Sequence, residues 1–326
     1  MVTRCYALYR KGLYHQAIRW GRLGISLARR GHDPGNLAYA YNAVASSYLE
    51  TGDVRKAIRY RLLALRIYRQ INDLAGQAHA NNNLGVCYQS TDQTKALESY
   101  RSALAYYERV GNVANTAICH NNVGEVLFTM GMTDQALDEF EKALAPYAHN
   151  ENPPYIYGLV LVNMSRAYQR KHDYGKAFDS ILTGIRHLKK IGAKGLTIEG
   201  TLQQAEIELD SGDLTGALRT VQGSLKEASS ISSALLQSRG LRISGRIRSE
   251  MHEYEQAEAD LEESLNLARR ARARYEEGLS LLRLAEIRRR QGKDTLKEYR
   301  TLIRNATSIL DSIGATGDLA GIPDLG

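Results

Sequence analysis

An all-α array of antiparallel helix pairs is predicted for this chain on three observations. Alanines recur about every forty residues, at Ala17, Ala57, Ala96, Ala136, Ala177, Ala217 and Ala257, with Leu296 in the eighth slot. A second small-residue column, Ala45, Gly85, Gly124, Ser165, Ala205, Gly245 and Ala285, runs eleven or twelve positions ahead of the first. Finally, the 326 residues include only five prolines and are rich in Ala, Leu, Arg and Glu, which favour helices over strands.

Each element follows from these columns. Two small positions separated by a short polar turn, such as Glu50-Thr51-Gly52-Asp53 or Asp210-Ser211-Gly212-Asp213, describe a hairpin whose helices approach closely. Between the columns, apolar residues keep helical spacing, as in Leu84, Tyr88, Ala96, Leu97, Tyr100 and Leu104. Asp53, Asp92, Asp173 and Asp213 stand just before second helices, where a carboxylate accepts from unpaired amides and favours the helix dipole. The expected array fills residues 1–312: a partial unit at 2–30, then units at 38–71, 77–110, 115–149, 155–191, 196–230, 234–272 and 274–312. Residues 313–326 form a Gly-, Asp- and Pro-bearing tail. Leu13, Ile18, Trp20, Leu23 and Ile25 of the partial unit have little first helix to cover them, so self-association through this N-terminal repeat is expected.

The segment 82–112, NNLGVCYQSTDQTKALESYRSALAYYERVGN, resembles a tetratricopeptide repeat through Leu84, Gly85, Tyr88, Ala96, Tyr100 and Ala103. The next unit matches through Val123, Gly124, Ala136, Phe140 and Ala143, and the resemblance extends over residues 2–312. It weakens toward the C-terminus, where the column of Tyr48, Tyr88 and Tyr168 becomes Glu208, Arg248 and Arg288. The forty-residue period resembles kinesin light chains, Pins-type adaptors and the repeat arms of bacterial signalling proteins such as MalT-like regulators, signalling ATPases and nucleotide cyclases. The resemblance implies a right-handed superhelical solenoid that binds a protein or peptide partner along its concave surface. Because the chain opens inside a repeat, it is expected to be the arm of a larger signalling protein.

Composition narrows the function. No run approaches the ~20 apolar residues of a membrane span, and the N-terminus lacks the apolar stretch of a signal peptide, so no membrane association and a cytoplasmic location are expected. Cys5, Cys87 and Cys119 show no CxxC spacing and fit free thiols in a reducing compartment. The net charge of +7 is local: residues 1–30 hold seven Lys/Arg and no acid, leaving 36 of each sign in the remainder. A nucleic-acid binder needs a continuous basic face, so nucleic acid is not the expected partner. No phosphate loop, dinucleotide fingerprint, HExxH, GxSxG or clustered histidines occur, so no catalytic residues, cofactor or metal are predicted.

Functional residues are expected on the first helices, which line the concave surface of a stacked array. Two adjacent columns carry amides in register, Asn42, Asn82 and Asn121, then Asn83, Asn122, Asn163 and Gln203. An amide offers donor and acceptor to a peptide backbone whatever its side chains. In the resembled adaptors an asparagine ladder holds a bound peptide in this way. The alternative is that these amides tie one repeat to the next. Four and eight residues further along come Ser46, Glu125, Arg166, Glu206, Arg246 and Glu286, then Glu50, Arg170, Asp210, Glu250 and Arg290, whose alternating signs suit either a charge-patterned ligand or cross-repeat ion pairs. Tyr39, Tyr41 and His79 could add an aromatic edge. The candidate set is therefore Asn42, Asn82, Asn83, Asn121, Asn122, Asn163, Tyr39, His79, Glu125, Arg166 and Arg170, reading an extended peptide or, alternatively, a small-molecule effector.

Overall fold

A computed structural model describes residues 1–89, 91–292 and 296–315. Among them are sixteen α-helices, one 3-10 turn at Ala145–Tyr147 and no strand. The chain divides into two compact units, residues 1–123 and 124–326.

Unit 1 contains α1 (Val2–Arg10), α2 (Tyr14–Arg30), α3 (Pro34–Glu50), α4 (Val54–Gln70), α5 (Leu74–Tyr88), α6 (Gln93–Arg109) and the first part of α7 (Val113–Thr129). Unit 2 takes the rest of α7 and α8 (Thr133–Leu144), α9 (Tyr155–Arg170), α10 (Tyr174–Lys190), α11 (Lys194–Asp210), α12 (Leu214–Ser230), α13 (Ala234–Glu250), α14 (Tyr254–Ala271), α15 (Arg274–Arg290) and α16 (Leu296–Ser312).

The period has a local cause. Most helices are 17 residues long and most linkers three, so each hairpin advances about forty positions. The turn after α3 shows how three residues suffice. Gly52 adopts φ +76°, its N–H donates to the Leu49 carbonyl at 2.9 Å, and the Asp53 N–H donates to the Tyr48 carbonyl at 2.9 Å. That closes α3 with a Schellman motif, and the Asp53 carboxylate then accepts from the Lys56 N–H at 3.1 Å to open α4. One residue thus ends one helix and caps the next. Asp92, Asp173 and Asp213 cap α6, α10 and α12 in the same way, and Asp33, Asp73 and Ser233 do so for first helices.

Both small columns are buried at the hairpin crossings. The alanines from Ala17 to Ala257 are fully buried, as are Ala45, Ser165, Ala205 and Ala285. Where the facing helix presents a large side chain, the column holds glycine: a Cβ on Gly85 would lie 2.5 Å from the Tyr100 ring, one on Gly124 2.5 Å from Phe140, and one on Gly245 2.7 Å from Leu261. Glycine's usual penalty within a helix is accepted for close approach.

Two expectations need correction. Leu296 does not occupy the eighth column slot; it is 63% exposed at the start of α16. Tyr299, Ile303, Ala306 and Leu310 repeat the buried spacing of Ala57, Arg61, Ala64 and Tyr68, so Tyr299 is the true equivalent. Ile18 and Ile25 are not left open either, because they pack into the unit 1 core with Ala38, Tyr41, Val44 and Leu65. Leu13 and Leu23 remain exposed, and Trp20 lies beneath the Arg4 guanidinium at 4.1 Å. Of the expected tail, residues 316–326 lie outside the described residues.

Candidate functional site

In unit 1 the predicted residues lie on α3, α5 and α7, and Asn42 is held by a residue that no column singled out. Arg61 of α4 is 4% exposed. Its guanidinium donates to the Asn42 Oδ1 at 3.3 Å and the Ser46 Oγ at 3.0 Å, and its Nε has no partner. Desolvation lowers its pKa from the ordinary arginine value, opposed by Cys87 and, more weakly, by Tyr6 and Tyr9. No carboxylate pairs with it among the described residues. A buried guanidinium satisfied only by neutral groups retains its field. That field reaches His79, whose pKa is lowered first by desolvation and then by Arg61.

The amides of this unit fall into two groups. Asn42 is 1% exposed and engaged inside its own hairpin, accepting from Arg61 and donating from Nδ2 to the Tyr68 hydroxyl at 3.4 Å. Asn121 is buried to the same degree. These two therefore lie within the packing and not toward solvent, although Asn82 stands at the same position of its own helix. Asn82, Asn83 and Asn122 are half-buried. The Asn122 Nδ2 donates to the Asn82 Oδ1 at 3.2 Å, forty residues away, and the Cys119 thiol lies 3.6 Å from the same oxygen. The Asn82 donor and the Asn122 acceptor have no other protein partner among the described residues. Asn83 meets the His79 ring at 3.1 Å, and Tyr39, 45% exposed, stands 5.1 Å from Tyr6.

Unit 2 is built differently. On α11, α13 and α15 the predicted alternation of sign becomes a closed network. Arg239 contacts Gln203 at 2.9 Å, Glu206 at 3.1 Å and Glu199 at 3.5 Å. Arg242 reaches Glu276 at 2.8 Å and Glu206 at 3.1 Å, and Arg246 reaches Asp210 at 2.9 Å. Although desolvation opposes its charge, Arg242, Arg239 and Arg246 hold the Glu206 carboxyl well below the usual carboxylate range. Arg290 pairs with Glu250 at 2.8 Å. Asn163 is 4% exposed, and Gln203 donates to Gln169. Arg170 donates to the Phe128 carbonyl and lies 3.6 Å from its ring centre, with Arg166 at 5.0 Å. Desolvation works against the Arg166 charge, but Tyr275, Glu125, Glu199 and Glu206 outweigh it. Arg239, Arg242, Glu199 and Glu276 were missed in the sequence, although opposite charges forty positions apart, as at Glu199 and Arg239, were a readable signal.

Burial pushes the Cys119 thiol up to about 12 and the Cys5 thiol to about 11, which removes thiolate at neutral pH. Among the described residues no three His, Cys, Asp or Glu side chains converge on a metal position, and no helix is long and apolar enough to cross a membrane.

Residues 76–147 match the family model described as Tetratricopeptide repeat. No curated protein sequence matches the chain. Among solved structures, a Rap protein complexed with competence and sporulation factor is similar at 13% identity and a TM-score of 0.71, covering 96% of this chain and 98% of that one. The apo quorum sensor NprR from B. thuringiensis is similar at 14% identity and a TM-score of 0.70, covering 95% and 86%. A signal transduction ATPase with a tetratricopeptide repeat sensor, from Pyrococcus horikoshii, gives 16% identity and a TM-score of 0.60 over 81% of this chain and 40% of that one. At these identities the likeness is one of fold. Residues 76–147 thus carry the tetratricopeptide repeat, and the repeat columns and helix pairing continue the same helical-hairpin fold along the described residues.

Proposed function

We propose that this chain is a non-catalytic regulatory scaffold that holds an extended peptide along the first helices of unit 1. The observation that carries the reading is the Asn82–Asn122 pair. Neighbouring repeats clasp each other through one hydrogen bond, and the pair keeps one donor and one acceptor free for a peptide N–H and C=O. Asn83, His79 and the exposed Tyr39 extend that edge, while Asn42, Asn121 and Asn163 are assigned to packing. Each backbone hydrogen bond contributes only ~0.5–1.5 kcal/mol net, so several must act together. The fold shared with a Rap conjugation gene regulator in complex with the Phr* peptide supports a peptide as the class of ligand. We assign the peptide to a partner or to the parent of which this chain is a cytoplasmic signalling arm. Replacing Asn82 and Asn122 together by Ala should weaken capture of peptides from a random extended-peptide library while helicity stays unchanged. Undiminished capture by the folded double variant would refute the reading.

A second reading rests on unit 2. A cavity of about 500 Å³ lies there among Asp210, Arg246, Ser249, Glu250, Arg283 and Arg290, a size and charge mixture suited to a small zwitterionic effector. A metabolite present at ~100 times its dissociation constant would stabilise the protein by ~2.7 kcal/mol, which a thermal-shift screen detects. A flat screen, with the peptide result intact, would leave the first reading alone.

A further inference from the structure

The charge of unit 1 is concentrated on α2 and α4, and of the cations on these helices only Lys56 forms an ion pair among the described residues, with Asp53 at 2.6 Å. Residues 1–71 hold thirteen Lys/Arg against three Asp/Glu, and the other 255 hold thirty against thirty-three. Neither α2 nor α4 contains an acid. On α4, Arg55, Arg59, Leu62, Arg66 and Arg69 recur at intervals of three or four and form one exposed stripe. On α2, Arg19, Leu23, Leu27 and Arg30 form another.

Tyrosines stand between the two helices, beside the stripes. Arg22 donates to the Tyr48 hydroxyl at 2.7 Å and Arg29 to the Tyr41 hydroxyl at 2.6 Å. Tyr60 of α4 lies against both rings, at 5.5 and 5.7 Å, and the Lys56 ammonium sits 5.4 Å from the Tyr48 centroid. Phenols satisfy the guanidinium donors without cancelling their charge. Arg19, Arg30, Arg55, Arg59, Arg66 and Arg69 make no ion pair among the described residues.

We propose that this face docks an acidic amphipathic segment of a partner protein. Leu23, Leu27 and Leu62, at 43%, 44% and 46% exposure, stand in the middle of the stripes with arginines at either end. An apolar centre within a charged rim is the anatomy of a protein interface. A phosphodiester backbone would use the cations and leave three leucines wet. An anionic bilayer would draw on an interfacial Trp, yet Trp20 is covered by Arg4. A second copy of the same face would bring like charges together. Arginines suit carboxylates in particular, since their planar fork binds both oxygens. This surface lies on second helices and does not depend on the peptide reading of the first helices.

The test uses the full chain and a fluorescein-labelled synthetic helix with leucines along one face and glutamates on the flanks. Its controls are a scrambled peptide of equal composition, a duplex DNA oligonucleotide and vesicles containing phosphatidylglycerol. The amphipathic peptide should bind at least about tenfold more tightly than the scrambled one, and Leu62→Ser or Arg59→Glu should each weaken it by about tenfold. Both substitutions are on exposed positions, and circular dichroism verifies folding. No peptide binding, equal binding of the scrambled peptide, indifference to Leu62→Ser, or preference for DNA or vesicles would each overturn the proposal.

Discussion

Arg61 in unit 1 and Arg242 in unit 2 are both buried arginines near first helices, but their surroundings differ. Arg242 lies between Glu206 and Glu276, with Arg239 and Arg246 sharing Glu206. Arg61 has an amide, a hydroxyl and a thiol for company, and one nitrogen without a partner. In unit 2 the charge is spent on the fold, tying α11, α13 and α15 into one layer. In unit 1 the Arg61 charge stays buried and unpaired by any carboxylate, and the Asn82 and Asn122 amides are half used. A buried network whose charges are internally matched serves the fold first, and one that is polar yet unmatched keeps donors and acceptors for other partners.

The largest expected effect tests that contrast directly. Arg242→Met should strand Glu276 without its cation, leave Glu206 to Arg239 and Arg246, and lower unfolding stability by about 3–5 kcal/mol. Arg61→Met removes an unpaired buried charge and leaves only neutral groups behind, so its loss should stay below about 1 kcal/mol. Equal losses in denaturant titrations would erase the distinction between the units.

Next in size, Gly85→Ala and Gly124→Ala should each destabilise by about 1–3 kcal/mol, despite alanine's better helix propensity, because their Cβ atoms would strike Tyr100 and Phe140. Gly223, with open space around it, serves as the control that should gain stability on the same change.

Acid should separate the two units as well. The Glu206 carboxyl ionises more readily folded than unfolded, so its contribution is complete above the ordinary value of 4.5 and is lost as pH falls below it. Glu206→Gln should flatten the decline of stability below that pH, and an unchanged decline would remove the network from acid sensitivity. Smallest of all, Arg290→Ala should alter stability by no more than about 0.5 kcal/mol, since the Arg290–Glu250 pair is half exposed on both sides.

Much of this was legible from residue types at fixed spacing. Backbone closure is local, so Gly52 and Asp53 announce their turn, and the alanine columns announce the crossings. The column failed at Leu296, because register after an altered turn is set by which residues find burial and not by counting. The candidate site was read less fully. Period alone put Asn42 and Asn82 in one column, yet Asn42 is buried against Arg61 and Tyr68 while Asn82 keeps a donor free. Equivalent positions differ in exposure because each hairpin packs against different neighbours.

By itself the sequence determined that the chain is helical, that its helices pair at forty-residue steps, and where its polar columns run. Those properties depend on backbone propensity and on side chains within a few turns of one another. Only the tertiary structure decided which arginines meet carboxylates and which do not, since Arg239 and Glu199 or Arg242 and Glu276 are joined across separate hairpins. Charge pairing is a contact property that rests on distances of a few ångströms, and the packing of whole helices sets those distances.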